Sequence, residues 1–459
     1  MSSATFEELR LRHAADLYAA FPRYAAQLQW SAAQLQLERE RRMRVLLATA
    51  KAHSPWHRER LRDVDVATFT EADLPSLPTM SKTDLMDNFD AVVTDARLTR
   101  DVVDAYVEDL PENLYLFDRY LVAASGGSSG RRGIFVYDWE AFVTLSCAVG
   151  RWVATLPQAF PSANLWAPRG AHLSWIVAQV FPRPGGETRI APTLPLPEIV
   201  ERLNALQPKA LSGYASTLAL LAGEARSGRL RVSPVGVATC GEPLLPEVRA
   251  EIESVWPVHV YNYYGMSEGL YAFPCRAGDA MHLPDDLHYV EPVDEAGRPV
   301  PPGTPAAKLL VTNLYNLTEP LIRYEVTDQL VVLPEPCPCG VAMRRIDHVV
   351  GRTDDIFMYP NGGRVHPLTI EAPLERHRHV VEYQVLQTER GVLVRFVATG
   401  PVDPSELSAS IATELRACGL SDPEVYVEQV PELSRLGSGK LKRFVPRATS
   451  SLSPPARSS

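Results

Sequence analysis

Four groups of residues in this chain have types and spacing that could do chemistry. The first is SGGSSGRRG at 125–133, between a strand-like run ending near Ala124 and another starting at Ile134. Glycines let a backbone approach a ligand closely, and Ser128 and Ser129 add hydroxyl donors, so such a loop can wrap a polyphosphate. The Lys-Ser/Thr pair of a Walker A loop is missing, and by itself the segment reads equally well as a flexible hairpin connection. The second group is CGEPL at 240–244 with VYNYYGMSEG at 260–269, each at the end of a strand-like run. Tyr264 and the glycines there offer a flat ring and an open backbone to a purine, and Glu268 offers a hard oxygen to a cation such as Mg2+. Ordinary packing is the plain alternative.

The third group is the cysteines. Cys337 and Cys339 lie in the turn PCPCG, and Cys275 with His282 lies in the preceding segment, near 275–340 as a whole. Three thiolates and an imidazole in two distant pairs suit a closed, tetrahedral, structural Zn2+ site, although a one-residue gap is shorter than the usual two to four. Reduced thiols in a turn are the alternative, and His288, inside a strand-like run, is the competing imidazole. Cys147, Cys240 and Cys418 fall in apolar helical or strand contexts and read as buried, inert thiols. The fourth group is PLIRYEVTD at 320–328, GRTDD at 351–355 and LSRLGSGKLKRF at 433–444, which presents Lys440 on a Gly/Ser loop. Each alone reads as a turn or surface loop.

These groups need elements to hold them. The 459 residues exceed one ordinary hydrophobic core, and 46% apolar with 22% charged residues is the balance of a globular protein. A net charge of −9 supplies no basic field for nucleic acid or anionic lipid, so an anionic ligand needs a local site. The charged, helix-periodic start and the absence of a long apolar run predict a cytoplasmic protein with no membrane partner. Helical periodicity covers about Glu7 to Arg60, with Met43, Leu46, Leu47 and Ala50 on one face, and Ser81 is an N-cap. From Tyr120 to about Val350, β-prone runs (Tyr120 to Ala123, Gly133 to Tyr137, Val235 to Thr239, His259 to Tyr263, Ala307 to Thr312) alternate with helical patterns such as Leu218 to Ala225. The predicted fold is α/β: a large multi-sheet domain over 1–350, a small α+β domain over 351–447 and a Ser/Pro-rich disordered tail over 448–459.

The ordered set SGGSSGRRG, GEP, YGMSEG, RYEVTD, GRTDD and GSGKLKR resembles the adenylate-forming superfamily of acyl-CoA ligases, peptide-synthetase adenylation domains and luciferases. AHSPWHRERL at 52–61, LPTMSKTDL at 77–85 and CPCG at 337–340 resemble its phenylacetate-CoA ligase branch, in which similar Cys, His, Cys and Cys positions occur. The resemblance spans roughly residues 35 to 447 and implies a large body with a small mobile lid.

The resemblance also implies roles. Ser125, Gly127, Ser128, Ser129 and Gly130 belong to the loop that clasps the β- and γ-phosphates of ATP. Arg131 and Arg132 stand where the family often has Lys and Pro, and Arg131 keeps the positive charge. Gly241 and Glu242 border adenine, Tyr264 stacks on it, Glu268 holds Mg2+ and Ser267 lies near the α-phosphate. Asp328 accepts hydrogen bonds from the ribose hydroxyls, although Val326 and Thr327 before it depart from the usual Thr-Gly. Arg352 contacts ribose or phosphate, Asp354 is the hinge and Lys440 reaches the reacting carboxylate and α-phosphate. The implied reaction forms an acyl-adenylate from a carboxylic acid and ATP, releases pyrophosphate, and transfers the acyl group to coenzyme A. A carrier-protein thiol or an amine is the alternative acceptor, and a silent nucleotide-binding protein is argued against by the intact Glu268, Asp328 and Lys440. Trp166, His172 and Tyr214 are candidates to line the acyl pocket, which favours an aryl or arylalkyl acid, with a core role for each as the alternative. The sequence leaves a homodimer open.

Overall fold

The computed structural model describes residues 4–125, 133–154, 160–166, 170–181, 187–192, 194–241, 244, 246–294, 296–350, 357–360, 363–365, 367–377, 379–398, 400–433 and 444–447. They divide into two compact units, one chiefly from residues before Gly351 and the other chiefly from residues after it.

The first unit opens with helices whose starts are written in the sequence. The Thr5 and Ser31 hydroxyl oxygens each accept from the backbone N–H three residues on, and their own backbone N–H groups donate to the side chains of Glu8 and Gln34, which sets the helices Phe6–Ala26 and Ala32–His53. Met43, Leu46, Leu47 and Ala50 form the buried stripe of the second helix. Ser81 caps Lys82–Asp87 in the same way.

Behind these helices runs a nine-stranded sheet. Five parallel strands stand in the order Glu187–Arg189, Ser162–Leu165, Ala210–Gly213, Gly236–Cys240 and Val260–Gly265. The sheet then turns antiparallel through Tyr271–Pro274, Met281–His282, Arg345–Val350 and Gln329–Val332. Parallel neighbours need crossovers, supplied here by helices such as Leu196–Leu206, Ala215–Arg226 and Pro246–Val255. A separate antiparallel sheet joins His288–Val293, Lys308–Asn313 and Tyr324–Val326. The pair Leu121–Ser125 and Gly133–Tyr137 brackets the Gly/Ser loop, with Ser125 opposite Gly133.

Residues 52–61 and 77–85 are tied to the segment that leads into Asp328. The Met80 N–H donates to the Arg323 carbonyl at 3.1 Å and its carbonyl accepts from Glu325 at 2.8 Å. His57 Nε2 sits 2.8 Å from the Pro320 carbonyl, which can only accept, so Nε2 carries the proton. Burial holds that imidazole down to about 4, and it stays neutral.

Among the described residues, one ion pair is wholly internal. Arg151, on the helix Trp139–Val153, meets both carboxylate oxygens of Asp286 at 2.6 and 2.7 Å with both side chains at 0% exposure, and Gln27 accepts a further bond at 3.1 Å. Removing one partner strands the other charge, so Arg151→Met is expected to lower the unfolding free energy by about 3–5 kcal/mol. A denaturant melt of the variant against wild type checks this.

The second unit has its own core of Phe357, Val385, Val394, Phe396, Leu407, Ile411 and Phe444. Its four-stranded sheet runs Glu424–Gln429, Gly391–Ala398, Val380–Gln387 and Phe444–Val445, with helices Pro367–Glu375 and Pro404–Ala417. The expectation of three buried thiols needs correction. Cys147 is buried, but Cys240 and Cys418 are half-buried, because Cys240 closes its strand and Cys418 caps a helix end rather than lying inside it. Burial of the sulfur still raises all three thiols, to about 12 for Cys147 and about 11 for Cys240. No helix among the described residues is long and apolar enough to cross a membrane.

Candidate functional site

The strand Val260–Gly265 delivers Tyr264 to its end, and the Tyr264 hydroxyl donates to Asp328 Oδ2 at 2.7 Å across 64 residues of sequence. Asp328 stands between Tyr324–Val326 and Gln329–Val332, so its place is set by two sheets at once. Glu268 is 6% exposed and accepts from the Tyr324 hydroxyl at 3.4 Å. A buried carboxylate is a hard oxygen donor suited to Mg2+, which usually takes one or two carboxylates plus nucleotide phosphates. Ser267 is the next residue back, on the same turn, and its carbonyl accepts from the Tyr137 hydroxyl at 2.5 Å.

Gly241 ends Gly236–Cys240 with φ +78°, and a Cβ there would come 3.1 Å from a Tyr214 ring carbon. Trp166 meets the same tyrosine edge to face, centroids 5.4 Å apart at 86°. The structure therefore brings two of the three expected acyl-pocket aromatics together beside Gly241. His172 is half-buried at the start of the helix Leu173–Val180. Ser125 ends its strand, and its hydroxyl oxygen accepts from Lys82 Nζ at 3.4 Å. Gly127, Ser128, Ser129, Gly130, Arg131, Arg132, Glu242, Arg352, Asp354 and Lys440 lie outside the described residues.

Sequence reasoning missed several residues that hold this site. Lys82, part of the 77–85 segment, places a cation at the foot of the Gly/Ser loop. Arg323 adopts φ +51°, a conformation disfavoured for a side-chain-bearing residue. It is held there by a two-pronged pair with Glu291 at 3.1 Å each and by the carbonyls of Pro75 and Leu77. The arginine inside RYEVTD thus fixes the chain that leads to Asp328. The run TNLYNLTEP at 312–320 is buried and densely hydrogen-bonded, though its polar composition reads as loop.

Cys275, His282, Cys337 and Cys339 converge, with their four donor atoms within 4.8 Å of one another. Cys275 and Cys337 Sγ are 3.2 Å apart, too far for a disulfide, and Cys339 Sγ is 3.3 Å from His282 Nε2. Ligands at zinc distances of a tetrahedral site stand roughly 3.3–3.8 Å from each other, so the donors need little movement to share one ion. His282 Nδ1 lies 3.0 Å from the Met343 carbonyl, which fixes the tautomer and leaves Nε2 to face the sulfurs. Burial takes that imidazole down to about 4, the neutral form a metal requires. The N–H groups of Ala277 and Cys339 point at Cys275 and Cys337 Sγ at 3.3 and 3.5 Å, as they would toward thiolates. Trp152 stacks on the His282 ring at 5.0 Å and 22°. His288 starts the next strand and is not in the cluster.

No family model matches the sequence. The phenylacetate-coenzyme A ligase of Thermus thermophilus is 28% identical over 386 residues, which is 78% of this chain and 79% of that one. Protein CapK of Staphylococcus aureus is 23% identical over 251 residues, and the alignment takes in 54% of CapK and 53% of this chain. Among solved structures, 2-hydroxyisobutyryl-CoA ligase with 2-HIB-AMP and CoA in its thioesterification state gives a TM-score of 0.59 at 19% identity, covering 92% of this chain and 91% of that one. The same ligase in its postadenylation state gives 0.58 at 19% identity over 92% of each chain. The chain is thus similar in sequence to phenylacetate-coenzyme A ligase over most of its length and shares the fold of 2-hydroxyisobutyryl-CoA ligase.

Proposed function

We propose that this chain is an AMP-forming acid–thiol ligase that activates a carboxylic acid, of aryl or arylalkyl type, and passes it to coenzyme A. A carboxylate oxygen attacks the α-phosphorus of ATP and pyrophosphate leaves. The thiol sulfur of coenzyme A then attacks the carbonyl carbon of the acyl-adenylate and AMP leaves. A free carboxylate is a poor acyl donor because its leaving group would be oxide or hydroxide, and the mixed anhydride removes that obstacle.

The observation that carries the reading is the 2.7 Å bond from Tyr264 to Asp328, together with the Tyr324 contact to Glu268. It brings together residues from distant motifs to which the resemblance assigns adenine, ribose and Mg2+, and that convergence supports the reading. Glu268 would hold the magnesium ion, which neutralises charge on the polyphosphate. The Trp166 and Tyr214 pair beside Gly241 supports a planar acid next to the adenine. The four-donor cluster fits a structural zinc, and the net charge of −9 suits a cytoplasmic enzyme of small molecules with no nucleic-acid partner.

An ATP-dependent assay over a panel of carboxylic acids, run with and without coenzyme A, tests the reading. Pyrophosphate release that depends on an acid, followed by loss of the acyl-adenylate when coenzyme A is added, is expected. Adenylate that persists in the presence of coenzyme A would exclude it as the acceptor.

A further inference from the structure

The turn that carries Ser267 and Glu268 closes on itself through Gly269 N–H to the Met266 carbonyl at 3.0 Å and Met266 N–H to the Leu270 carbonyl at 3.1 Å. Its next three carbonyls point outward, and each is taken by a different side chain. The Tyr137 hydroxyl donates to Ser267 O at 2.5 Å, Asn313 Nδ2 to Glu268 O at 3.1 Å, and the Tyr315 hydroxyl to Gly269 O at 2.9 Å. The three donors close around one point. A Cβ on Gly269, where φ is +92°, would fall 2.4 Å from the Tyr315 oxygen and 2.9 Å from both Asn313 Nδ2 and the Tyr137 oxygen. Only glycine fits there.

The donors are themselves preset. Asn313 Oδ1 accepts from the N–H groups of Tyr315 and Asn316 at 3.1 Å each, which fixes the amide so that Nδ2 faces Glu268 O. Asn316 repeats the device, its Oδ1 accepting from Thr318 and Glu319 N–H and its Nδ2 donating to Val136 O at 2.9 Å. Glu319 completes the clamp by accepting the Val136 N–H at 2.7 Å. Burial holds the Tyr137 and Tyr315 phenols well above their ordinary range, so both hydroxyls keep their protons and remain donors. Val136 and Tyr137 belong to the strand that leaves the Gly/Ser loop, so one buried segment grips that strand and the Glu268 turn together.

We propose that Tyr137, Asn313 and Tyr315 are positioning residues that hold the Ser267–Gly269 turn, and through it the Glu268 carboxylate, at the place where magnesium meets the nucleotide. The inference rests on the ligase reading above. The three residues set where a metal-binding carboxylate sits relative to the strand behind the phosphate loop, and misplacing such a group by a fraction of an ångström weakens it.

The test is calorimetric titration of ATP into the full chain with and without Mg2+, for wild type, Tyr137→Phe/Tyr315→Phe and Asn313→Asp. The phenylalanines remove only hydroxyls, and aspartate keeps the turn's acceptor while losing the donor to Glu268 O. Affinity for ATP in the presence of Mg2+ is expected to fall about 10-fold in both variants, with Mg2+-free affinity within twofold of wild type and circular dichroism unchanged. Equal loss with and without Mg2+, or no loss in either, overturns the positioning role. Wild-type affinity that is indifferent to Mg2+ overturns it as well, by removing the metal from Glu268. The carboxylic-acid panel fails or succeeds independently, so an error in the ligase reading is told apart from an error here.

Discussion

Lys440→Ala is expected to slow ATP-dependent adenylate formation by about 10²–10³-fold while coenzyme A attack on preformed acyl-adenylate stays within a few-fold of wild type. As the carboxylate attacks, negative charge gathers on the oxygens around the α-phosphorus and on the departing pyrophosphate. A placed ammonium group is stronger in that transition state than in the ground state, which is what catalysis needs. In the second step the leaving group is AMP, whose phosphate already carries its charge, and the small unit would by then have turned about Asp354 and withdrawn the lysine. The sequence supports the assignment by placing Lys440 at the end of GSGK, 437–440, where two glycines let the loop reach a crowded site. Arginine is a poor rescue, since its planar fork differs in shape from a point charge on a flexible stem, so Lys440→Arg is expected to recover little. Pyrophosphate release and thioester formation from synthetic adenylate, measured separately on one protein batch, decide the matter. Equal loss in both assays would contradict alternation of the small unit.

Much of this architecture is legible in the sequence. The run Gly133 to Tyr137 is a strand as read, and Val235 to Thr239 and His259 to Tyr263 appear as Gly236–Cys240 and Val260–Gly265, each shifted by a residue or two. Strands such as these are short runs rich in β-branched and aromatic residues bounded by turn residues, and that signal is local. The Cys/His set was legible for another reason, because few other chemistries place three sulfurs and an imidazole in two tight pairs. What stayed hidden is what depends on partners far along the chain. Arg323 reads as part of a motif, but its pairing with Glu291 exists only once His288–Val293 and Tyr324–Val326 are laid on either side of Lys308–Asn313 in one sheet. TNLYNLTEP carries turn-forming asparagines and no apolar period, so locally it is loop, and only Val136, 180 residues away from Asn316, reveals it as buried scaffold. The order of the nine strands was equally out of reach, since periodicity says which runs pair with something and not with which neighbour.

Purified protein is expected to contain one zinc per chain, and Cys337→Ser to lose most of it and several kcal/mol of stability with it. The size of the effect follows from what else holds the region. Met281–His282 is a strand of two residues, pinned between Tyr271–Pro274 and Arg345–Val350, and the PCPCG turn carries a positive-φ Gly340 and a single backbone bond back to Cys337. Without an ion, the segment that follows the PCPCG turn is tied to Met281–His282 by the strand pairing of Arg345–Val350, the Leu283 N–H bond to the Arg344 carbonyl, the Arg344 pair with Asp285 and the His282 bond to Met343, and Cys337 and Cys339 themselves sit outside that pairing. Structural zinc contributes about 10 kcal/mol or more where the metal is the whole core, as in zinc-finger peptides. Here a hydrophobic cluster of Leu28, Leu35, Trp152, Phe273 and Met343 shares the task, so a fraction of that is expected. Serine in place of Cys337 swaps a thiolate for a neutral hydroxyl of similar size, which separates metal loss from a packing defect. Cys275→Ser and His282→Ala should behave alike, whereas His288→Gln should keep its zinc because His288 lies outside the cluster. Elemental analysis alongside thermal melts, with and without a chelator, reads all four variants. Zinc-free wild type, or a Cys337→Ser protein that retains full zinc, would remove the ion and leave three reduced thiols gathered beside a His282 that stacks on Trp152.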